Sequence, residues 1–104
     1  MSADVFAALG NPTRRDLLEL LRAGPQPVKA LAERFELGRP AISEHLKVLR
    51  DAGLVVEERR GRENHYHLDA APLRAVSEWL GPYERFWRRR HGKLRQLLDE
   101  ENQR

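Results

Sequence analysis

The stretch that decides the fold runs from Val28 to Leu68 and reads VKALAERF, then ELGR, then PAISEHLKVLRDAGLVVEERRGRENHYHL. Its first eight residues place Val28, Leu31 and Phe35 at the spacing of one helical face. The next segment is short and Gly38 can adopt a positive φ, so the chain can turn sharply before a second helix begins at Arg39 or Pro40. Two helices joined this tightly predict a helix-turn-helix over about residues 28–53.

The second helix has two contrasting faces. Ile42, Leu46 and Leu49 recur at i, i+4 and i+7 and are predicted to be buried. Gly53 is placed to end the helix as a left-handed C-cap. The outward face then consists of Arg39, Pro40, Ser43, Glu44 and Lys47.

A β-hairpin is predicted directly after this helix, over about residues 54–68. Leu54–Arg59 is rich in β-branched residues, a turn glycine lies within Arg60–Glu63, and Asn64–Leu68 alternates. Tyr66 and Leu68 are expected to face the core. A helix-turn-helix followed by a two-stranded wing predicts a winged-helix fold, mainly α with one small antiparallel hairpin.

The N-terminal part of the chain predicts two further helices. The first is a short segment, Asp4–Leu9, and the second is capped by Asn11 with Pro12 at its first position. The second carries too many leucines for one narrow stripe, so we expect it to be contacted on two sides. Arg14 and Arg15 are expected to be exposed bases that are solvated or ion-paired, with phosphate contact as the alternative.

The C-terminal part is predicted to be helical over about residues 72–100, with a kink or break at Gly81–Pro82. Downstream, a 4-3-4-3 spacing that is typical of a seam for a partner helix is followed by Tyr83, Trp87, Arg90, Leu94 and Leu97. We therefore expect N- and C-terminal dimerisation helices and a homodimer, with an apolar ligand pocket between subunits as the alternative. The predicted interface residues are Phe6, Leu80, Tyr83, Phe86, Trp87, Leu94 and Leu97.

Composition limits the class of protein. The 104 residues are expected to form one winged domain over residues 1–104, and the absence of cysteine excludes disulfides and thiolate metal sites. No apolar run approaches a membrane span and no leader pattern is present, so we expect a cytoplasmic protein without a membrane partner. The net charge of +3 conceals a local +6 over residues 85–95, so the remainder sums to −3. The direction of side chains, more than bulk charge, must therefore decide whether the chain binds nucleic acid.

These residues resemble the ArsR/SmtB family of bacterial winged-helix repressors. The similarity runs from about Ala8 to Leu98, and its most specific part is GRPAISEHLKVLRDAGLV followed by RRGRENHYHL. The resemblance implies a homodimer with terminal helices at its interface, the Pro40 helix in the major groove and the Gly61 hairpin beside phosphates or the minor groove. It also implies repression of a nearby promoter.

Metal sensing through the usual sites of that family is not expected here. The family's cysteine pair would fall near Ala32 and Arg34, and its ligands on the last helix reduce to His91 among six positive charges. His65 and His67 share one strand face, but two ligands are not a site. The chain is thus assigned to a subgroup that lacks the usual metal-binding cysteines, with no cofactor, and an unknown small-molecule effector is left open.

Double-stranded DNA is the expected partner. Arg39, Ser43 and Lys47 are predicted to reach base edges, with ordinary exposed helix residues as the alternative. The complete predicted DNA-contact set is Arg39, Pro40, Ser43, Glu44, Lys47, Arg60 and Arg62. His45 is interpreted as a hydrogen-bonded packing residue. A protein-interaction module that uses the basic C-terminal helix is the alternative function. An enzyme is not expected, because no phosphate loop, nucleophile or relay motif is present.

Overall fold

The computed structural model describes residues 4–102, and it describes side-chain surroundings as far as Arg90. The elements in chain order are α1 (Val5–Ala8), α2 (Pro12–Leu21), β1 (Gln26–Pro27), α3 (Val28–Ala32), α4 (Arg39–Asp51), β2 (Val55–Arg60), β3 (Glu63–Leu68) and α5 (Leu73–Asn102). The chain forms two compact units, the first ending at Arg74 and the second beginning at Ala75. The predicted class, mainly α with a small antiparallel sheet, is confirmed, and the single 104-residue domain stays a prediction.

Side-chain caps start the first two helices. The Asp4 carboxylate accepts a hydrogen bond from the Phe6 backbone N–H at 2.9 Å, and the Asn11 side chain accepts one from the Arg14 N–H at 3.1 Å. Pro12 occupies the first turn of α2, where its missing N–H costs no hydrogen bond. The predicted Asn11–Pro12 start of α2 is therefore confirmed.

The first helix of the helix-turn-helix is shorter than predicted. Helix α3 ends at Ala32, whereas the sequence predicts a helix as far as Phe35. The Arg34 and Phe35 N–H groups donate to carbonyls three residues back, at 3.1 and 3.2 Å. Hydrogen bonds to the third residue back belong to a tighter turn than the α-helix, so the regular α-helix ends before these residues. Phe35 still packs against the core from this turn. The apolar spacing therefore predicted the core contact of Phe35 correctly, but it predicted too long a helix.

The second helix, α4, begins and ends where the sequence predicts. Gly38 is its N-cap and supplies no side-chain hydrogen bond. At the other end Gly53 has a φ of 78° and donates to the Arg50 carbonyl at 2.9 Å, while Leu54 donates to the Leu49 carbonyl at 2.9 Å. This pair of bonds is a Schellman motif, and the buried Leu49 and Leu54 supply its apolar contact. The motif directs the chain from α4 into the hairpin.

The sheet has three strands where the sequence predicts two. Strand β3 lies in the middle, antiparallel to both β2 and the two-residue β1. Strand β1 is missed because Gln26–Pro27 is too short for an alternating pattern and contains proline. Gly61, with a φ of 62°, begins the two-residue β2–β3 turn as glycine does in a type II′ turn. Gln26 pairs with Tyr66, so β1 joins the start of α3 to the hairpin.

The core lies in the first unit and joins the helices to the sheet. Ile42, Leu46 and Leu49 are 0 % exposed, as their spacing predicts, and Tyr66 faces inward. Helix α2 buries leucines that pack towards both α4 and β3, which confirms its predicted contact on two sides. The buried residues are Ala8, Leu17, Leu18, Leu21, Val28, Leu31, Ile42, Leu46, Leu49, Ala52, Leu54, Val55 and Tyr66.

Of the kink or break predicted at Gly81–Pro82, the break is wrong and the kink stays a prediction. Helix α5 continues from Leu73 to Asn102 with Pro82 inside it. Proline removes one backbone donor, which leaves the Glu78 carbonyl without its usual partner, and the adjoining turns of this long helix continue on either side. Among the residues described, no helix combines the length and apolarity that crossing a bilayer requires.

Replacing Gly53 by alanine should lower the free energy of unfolding by about 1–2 kcal/mol, because an L-residue is strained in the left-handed conformation. The new Cβ would also lie 3.4 Å from Pro72 Cγ. Urea denaturation at one fixed protein concentration measures the change. Gly53→Asn is the matched control and should lose less, since asparagine tolerates a positive φ. Equal stability of Gly53→Ala and the parent would contradict the Schellman assignment.

Candidate nucleic-acid interface

The outer face of α4 is open to solvent. Arg39, Pro40, Ser43, Glu44 and Lys47 are all exposed, and they alternate around the helix with the buried Ile42, Leu46 and Leu49. A helix whose apolar stripe is completely covered must present the opposite stripe outward. The structure therefore places all five predicted α4 residues on one accessible surface.

Two arginines, Arg60 and Arg62, lie near the turn of the hairpin, and they differ in whether a carboxylate lies nearby. Arg60 Nη2 lies 3.5 Å from Glu58 Oε2, and both side chains are half exposed. Arg62 lies in the turn itself, and no carboxylate lies within 4.0 Å of it in the part of the chain with described side chains. Arg62 is thus the arginine of this pair that is available to an external anion.

A cleft of about 420 Å³ lies between α4 and the hairpin, and we call it the helix–wing cleft. It brings together three residues that the sequence predicts as DNA contacts: Arg39, Ser43 and Arg62. Its lining consists of Pro27, Val28, Lys29, Arg39, Ser43, Arg62, Glu63, Asn64 and Tyr66. Lys29, Arg39 and Arg62 supply three cations against the single carboxylate of Glu63, so the cleft can accept an anionic strand.

Lys29 and Asn64 border this cleft, and sequence reasoning missed both. Lys29 lies in the first turn of α3, next to β1, and it reaches the cleft because β1 pairs with β3. Asn64 stands two residues from Tyr66 and therefore points to the same face of β3. The polar inner position of Asn64 was readable from strand alternation, whereas the position of Lys29 depends on the unpredicted strand β1.

The remaining predicted contacts lie outside the cleft. Pro40, Glu44 and Lys47 are exposed on α4 and Arg60 is exposed on β2, but none of them lines the cleft. They occupy surfaces on either side of it. The predicted contact set is thus divided into a clustered part and a flanking part.

Arg14 has a structural position that differs from the predicted solvated or ion-paired base. Its Nε donates to the Ala8 carbonyl at 2.7 Å, and its Nη2 donates to the Ala7 carbonyl at 3.2 Å. Its Nη1 lies 3.3 Å from His45 Nδ1, which therefore acts as the acceptor. Arg14 thus joins the end of α1 to α4, and the prediction that His45 is a hydrogen-bonded packing residue is confirmed. Arg15 donates to the Leu9 carbonyl at 2.7 Å.

The histidine pair of the hairpin lies on the outer face of the sheet. His65 pairs across the strands with Glu58 and His67 pairs with Val56. His65 Nε2 lies 3.4 Å from Glu63 Oε2, and its buried Nδ1 has no hydrogen-bond partner. Within the described part of the chain, no group of three or more His, Cys, Asp or Glu residues is arranged to hold a metal ion. His91 lies outside the described side chains.

An ion pair joins the far end of α4 to the hairpin. Arg50 Nη1 donates to Glu57 Oε2 at 2.6 Å, and Glu57 faces Tyr66 across the strands. Burial raises the pKa of the Tyr66 phenol, and the neighbouring Glu57 carboxylate raises it further by charge and by accepting its hydrogen bond. Tyr66 is therefore uncharged where it lines the helix–wing cleft.

Comparison with known proteins identifies similar proteins that regulate transcription. A helix-turn-helix domain family model matches residues 9–58. The chain is 42 % identical to the HTH-type transcriptional regulator Rv2034 of Mycobacterium tuberculosis, over 92 % of this chain and 87 % of the relative. It is 35 % identical to the transcriptional repressor SdpR of Bacillus subtilis, over 74 % of this chain and 86 % of that relative.

Solved structures agree with these relatives. An ArsR-like transcriptional regulator from Rhodococcus superposes with a TM-score of 0.68 at 36 % identity, over 91 % of this chain and 90 % of that one. The chain belongs to the ArsR family of transcriptional regulators. A homodimeric winged helix-turn-helix DNA-binding domain from Mycobacterium bovis also matches, with a TM-score of 0.64 at 31 % identity and 77 % coverage of each chain. The outer face of α4 and the helix–wing cleft are thus surfaces of a DNA-binding ArsR-family regulator.

In this ArsR-family chain, replacing Arg14 by methionine should lower the free energy of unfolding by about 1.5–3 kcal/mol, because its charge-assisted hydrogen bonds to two carbonyls and to His45 would be removed. Arg15→Met is the matched control. It removes one exposed hydrogen bond and should cost less than about 1 kcal/mol. Thermal and urea unfolding measure both changes. An unchanged stability of Arg14→Met with a weaker salt dependence of DNA binding would instead indicate phosphate contact.

Proposed function

We propose that the protein is a homodimeric, sequence-specific repressor that binds an inverted-repeat operator without a metal cofactor. The helix–wing cleft carries this proposal, since it joins Arg39 and Ser43 of α4 to Arg62 of the hairpin around one polar groove. In this groove Lys29 and Arg62 suit a phosphate strand that passes between a helix in the major groove and a wing beside it, while Arg39 lies on the helix. Repression is the activity that the name of the SdpR relative supports.

The proposed contacts divide by the chemistry of each side chain. Arg39 and Lys47 are suited to guanine, and Ser43 to several bases. Glu44 suits only cytosine, and Pro40 can touch a thymine methyl group. All five residues are exposed on the outer face of α4. Sequence preference would thus arise on α4.

Phosphate contacts are proposed for the residues at the edges of the cleft. Arg62 is unpaired by any carboxylate of the described side chains, and Lys29 and Asn64 flank the same groove. Arg60 belongs to the proposed contact set, but its ion pair with Glu58 reduces the charge that it can offer DNA. These contacts would set orientation and salt dependence more than base preference.

The proposed dimer uses the aromatic face of α5. Tyr83 lies between two tryptophans, with ring centroids 5.2 Å from Trp79 and 6.4 Å from Trp87. Tyr83, Phe86 and Trp87 are 45–52 % exposed, which is a large apolar area for a solvated helix. Leu80 is half-buried and Phe6 of α1 is 42 % exposed, while the side chains of Leu94 and Leu97 lie outside the described residues. The homodimeric M. bovis neighbour supports this assembly.

The proposal of a regulator without a metal cofactor rests on the chemistry of the donors. The sequence has no cysteine, so no thiolate site can form. The last helix carries six bases from Arg85 to Arg95, and their charge opposes a cation near His91. The family's usual metal sites are therefore not proposed as sensors in this protein.

Replacing Arg39 by alanine should relax base preference at one position of each half-site and cost about 1–3 kcal/mol for each base that it reads. Replacing Arg62 should weaken binding to all sequences and lower the salt slope by about 0.9 for each phosphate that is no longer neutralised, one in each subunit. Selection from random DNA followed by salt-dependent titration measures both effects. Arg60→Ala is the control for Arg62 and should change the slope less. Absence of any selected sequence, or of half-sites about 10 bp apart or a multiple, would contradict the proposal.

Replacing Trp87 by glutamate should convert the dimer to a monomer, because a charge would be buried against the partner's aromatic face. Sedimentation equilibrium across a concentration series measures the change. Arg88→Glu is the matched control, since the adjacent residue points about 100° away around the helix and should leave the assembly intact. A dimer that persists in Trp87→Glu, or a parent protein that is monomeric, would refute this interface.

A further inference from the structure

We infer that Arg50, Glu57 and Tyr66 form a brace that sets the position of the wing relative to α4, so that Glu57 is a positioning residue for DNA binding. The inference rests on the proposed function and extends it to residues that touch no DNA. Among the described side chains, Arg50–Glu57 is the only ion pair that joins α4 to the hairpin. Arg50 Nη1 and Glu57 Oε2 are 2.6 Å apart.

The Glu57 carboxylate would repel phosphates if its side chain faced DNA. The direction of the Glu57 side chain explains how the hairpin accommodates this charge. Glu57 alternates with the exposed Val56 and Glu58 and lies opposite Tyr66, so it points to the inner face of the sheet. There its carboxylate accepts a hydrogen bond from Arg50, and it faces Tyr66 across the strands and raises the pKa of the phenol. Its charge is thus directed into the protein.

The brace reaches the DNA-binding surface through Tyr66. The Tyr66 side chain is 9 % exposed and lines the helix–wing cleft together with Arg39 and Ser43. Arg50 lies in the last turn of α4, while Arg39 lies in the first, so the hairpin is held at one end of the helix and the cleft opens at the other. Loosening the held end would move the wing tip and Arg62 with it.

The same role is consistent with the absence of Arg50 from the proposed DNA contacts. Arg50 is a base on α4, but its guanidinium is engaged by Glu57 and is directed towards the sheet. By contrast, the neighbouring Arg60–Glu58 pair joins two residues of the same strand on the outer face. That pair cannot fix the hairpin against α4. Glu58 is therefore the matched control for Glu57, one residue away with the same charge.

The test is a double-mutant cycle between the brace and the wing tip, with the full-length chain and a duplex carrying the best site selected from random DNA. Dissociation constants are measured for the parent, Glu57→Gln, Arg62→Ala and the double variant. If the brace positions Arg62, the double variant should bind at least about fivefold more tightly than the product of the two single losses predicts. The cycle with Glu58→Gln should be multiplicative within about twofold.

Unfolding midpoints separate positioning from mere stability. A structural role alone would lower the midpoint of Glu57→Gln and leave the effect of Arg62→Ala undiminished, and that result would overturn the inference. An unchanged affinity of Glu57→Gln would overturn it as well. Should Glu57→Gln fail to fold, Tyr66→Phe removes only the phenol hydroxyl of the residue that faces Glu57, and the same non-multiplicative result with Arg62→Ala is expected. Multiplicative losses in that cycle would then decide against the brace.

Failure of the proposed function gives a different result from failure of the brace. If the protein does not bind DNA sequence-specifically, the parent selects no site from random DNA. If only the brace is wrong, the parent binds its selected duplex and Arg62→Ala weakens it. In that case the double-mutant cycles of Glu57→Gln and of Glu58→Gln with Arg62→Ala are both multiplicative.

Discussion

Burial of the Ile42, Leu46 and Leu49 side chains is the constraint on which the rest of this structure depends. These three side chains have no exposed surface, so the rotation of α4 about its own axis is fixed. Once that rotation is fixed, Arg39, Ser43 and Lys47 must point outward. The Schellman motif at Gly53 then fixes the direction in which the hairpin leaves the helix. Core packing thereby determines which polar residues can meet a ligand, without any interaction among those residues themselves.

Local pairing of charges explains how an almost balanced segment can present a basic surface. Residues 38–68 contain six bases and five acids, a composition that gives little electrostatic preference for DNA. In the structure Glu57 pairs with Arg50, Glu58 lies near Arg60, and Glu63 lies near His65. Three acids of the hairpin are thus directed to partners within the protein. Arg39 and Arg62 have no such partner among the described side chains, and they border the same cleft.

Local signals predicted most of the fold, and long-range pairing accounts for most of what they missed. The Asn11 cap, the bounds of α4 and the inward direction of Tyr66 depend on residues close in sequence, and all three are confirmed. Strand β1 and the position of Lys29 beside the cleft depend on pairing between Gln26 and Tyr66, forty residues apart in the sequence. No local pattern encodes that pairing. The contact between Arg14 and His45 was missed for the same reason, because the two residues are thirty-one positions apart in the sequence.

A dimer that reads DNA must fix two distances, one between its two α4 helices and one between each α4 and its own wing. Different residues of this chain would set these two distances. The distance between two α4 helices would be set by the aromatic face of α5, whose tryptophan and tyrosine rings have well-defined shapes and few torsions. The distance between α4 and its own wing would be set within one subunit by Arg50, Glu57 and Tyr66. Disruption of the dimer interface would therefore weaken binding to both half-sites together. Disruption of the brace would weaken the wing's binding in each half-site and leave the spacing of the half-sites unchanged.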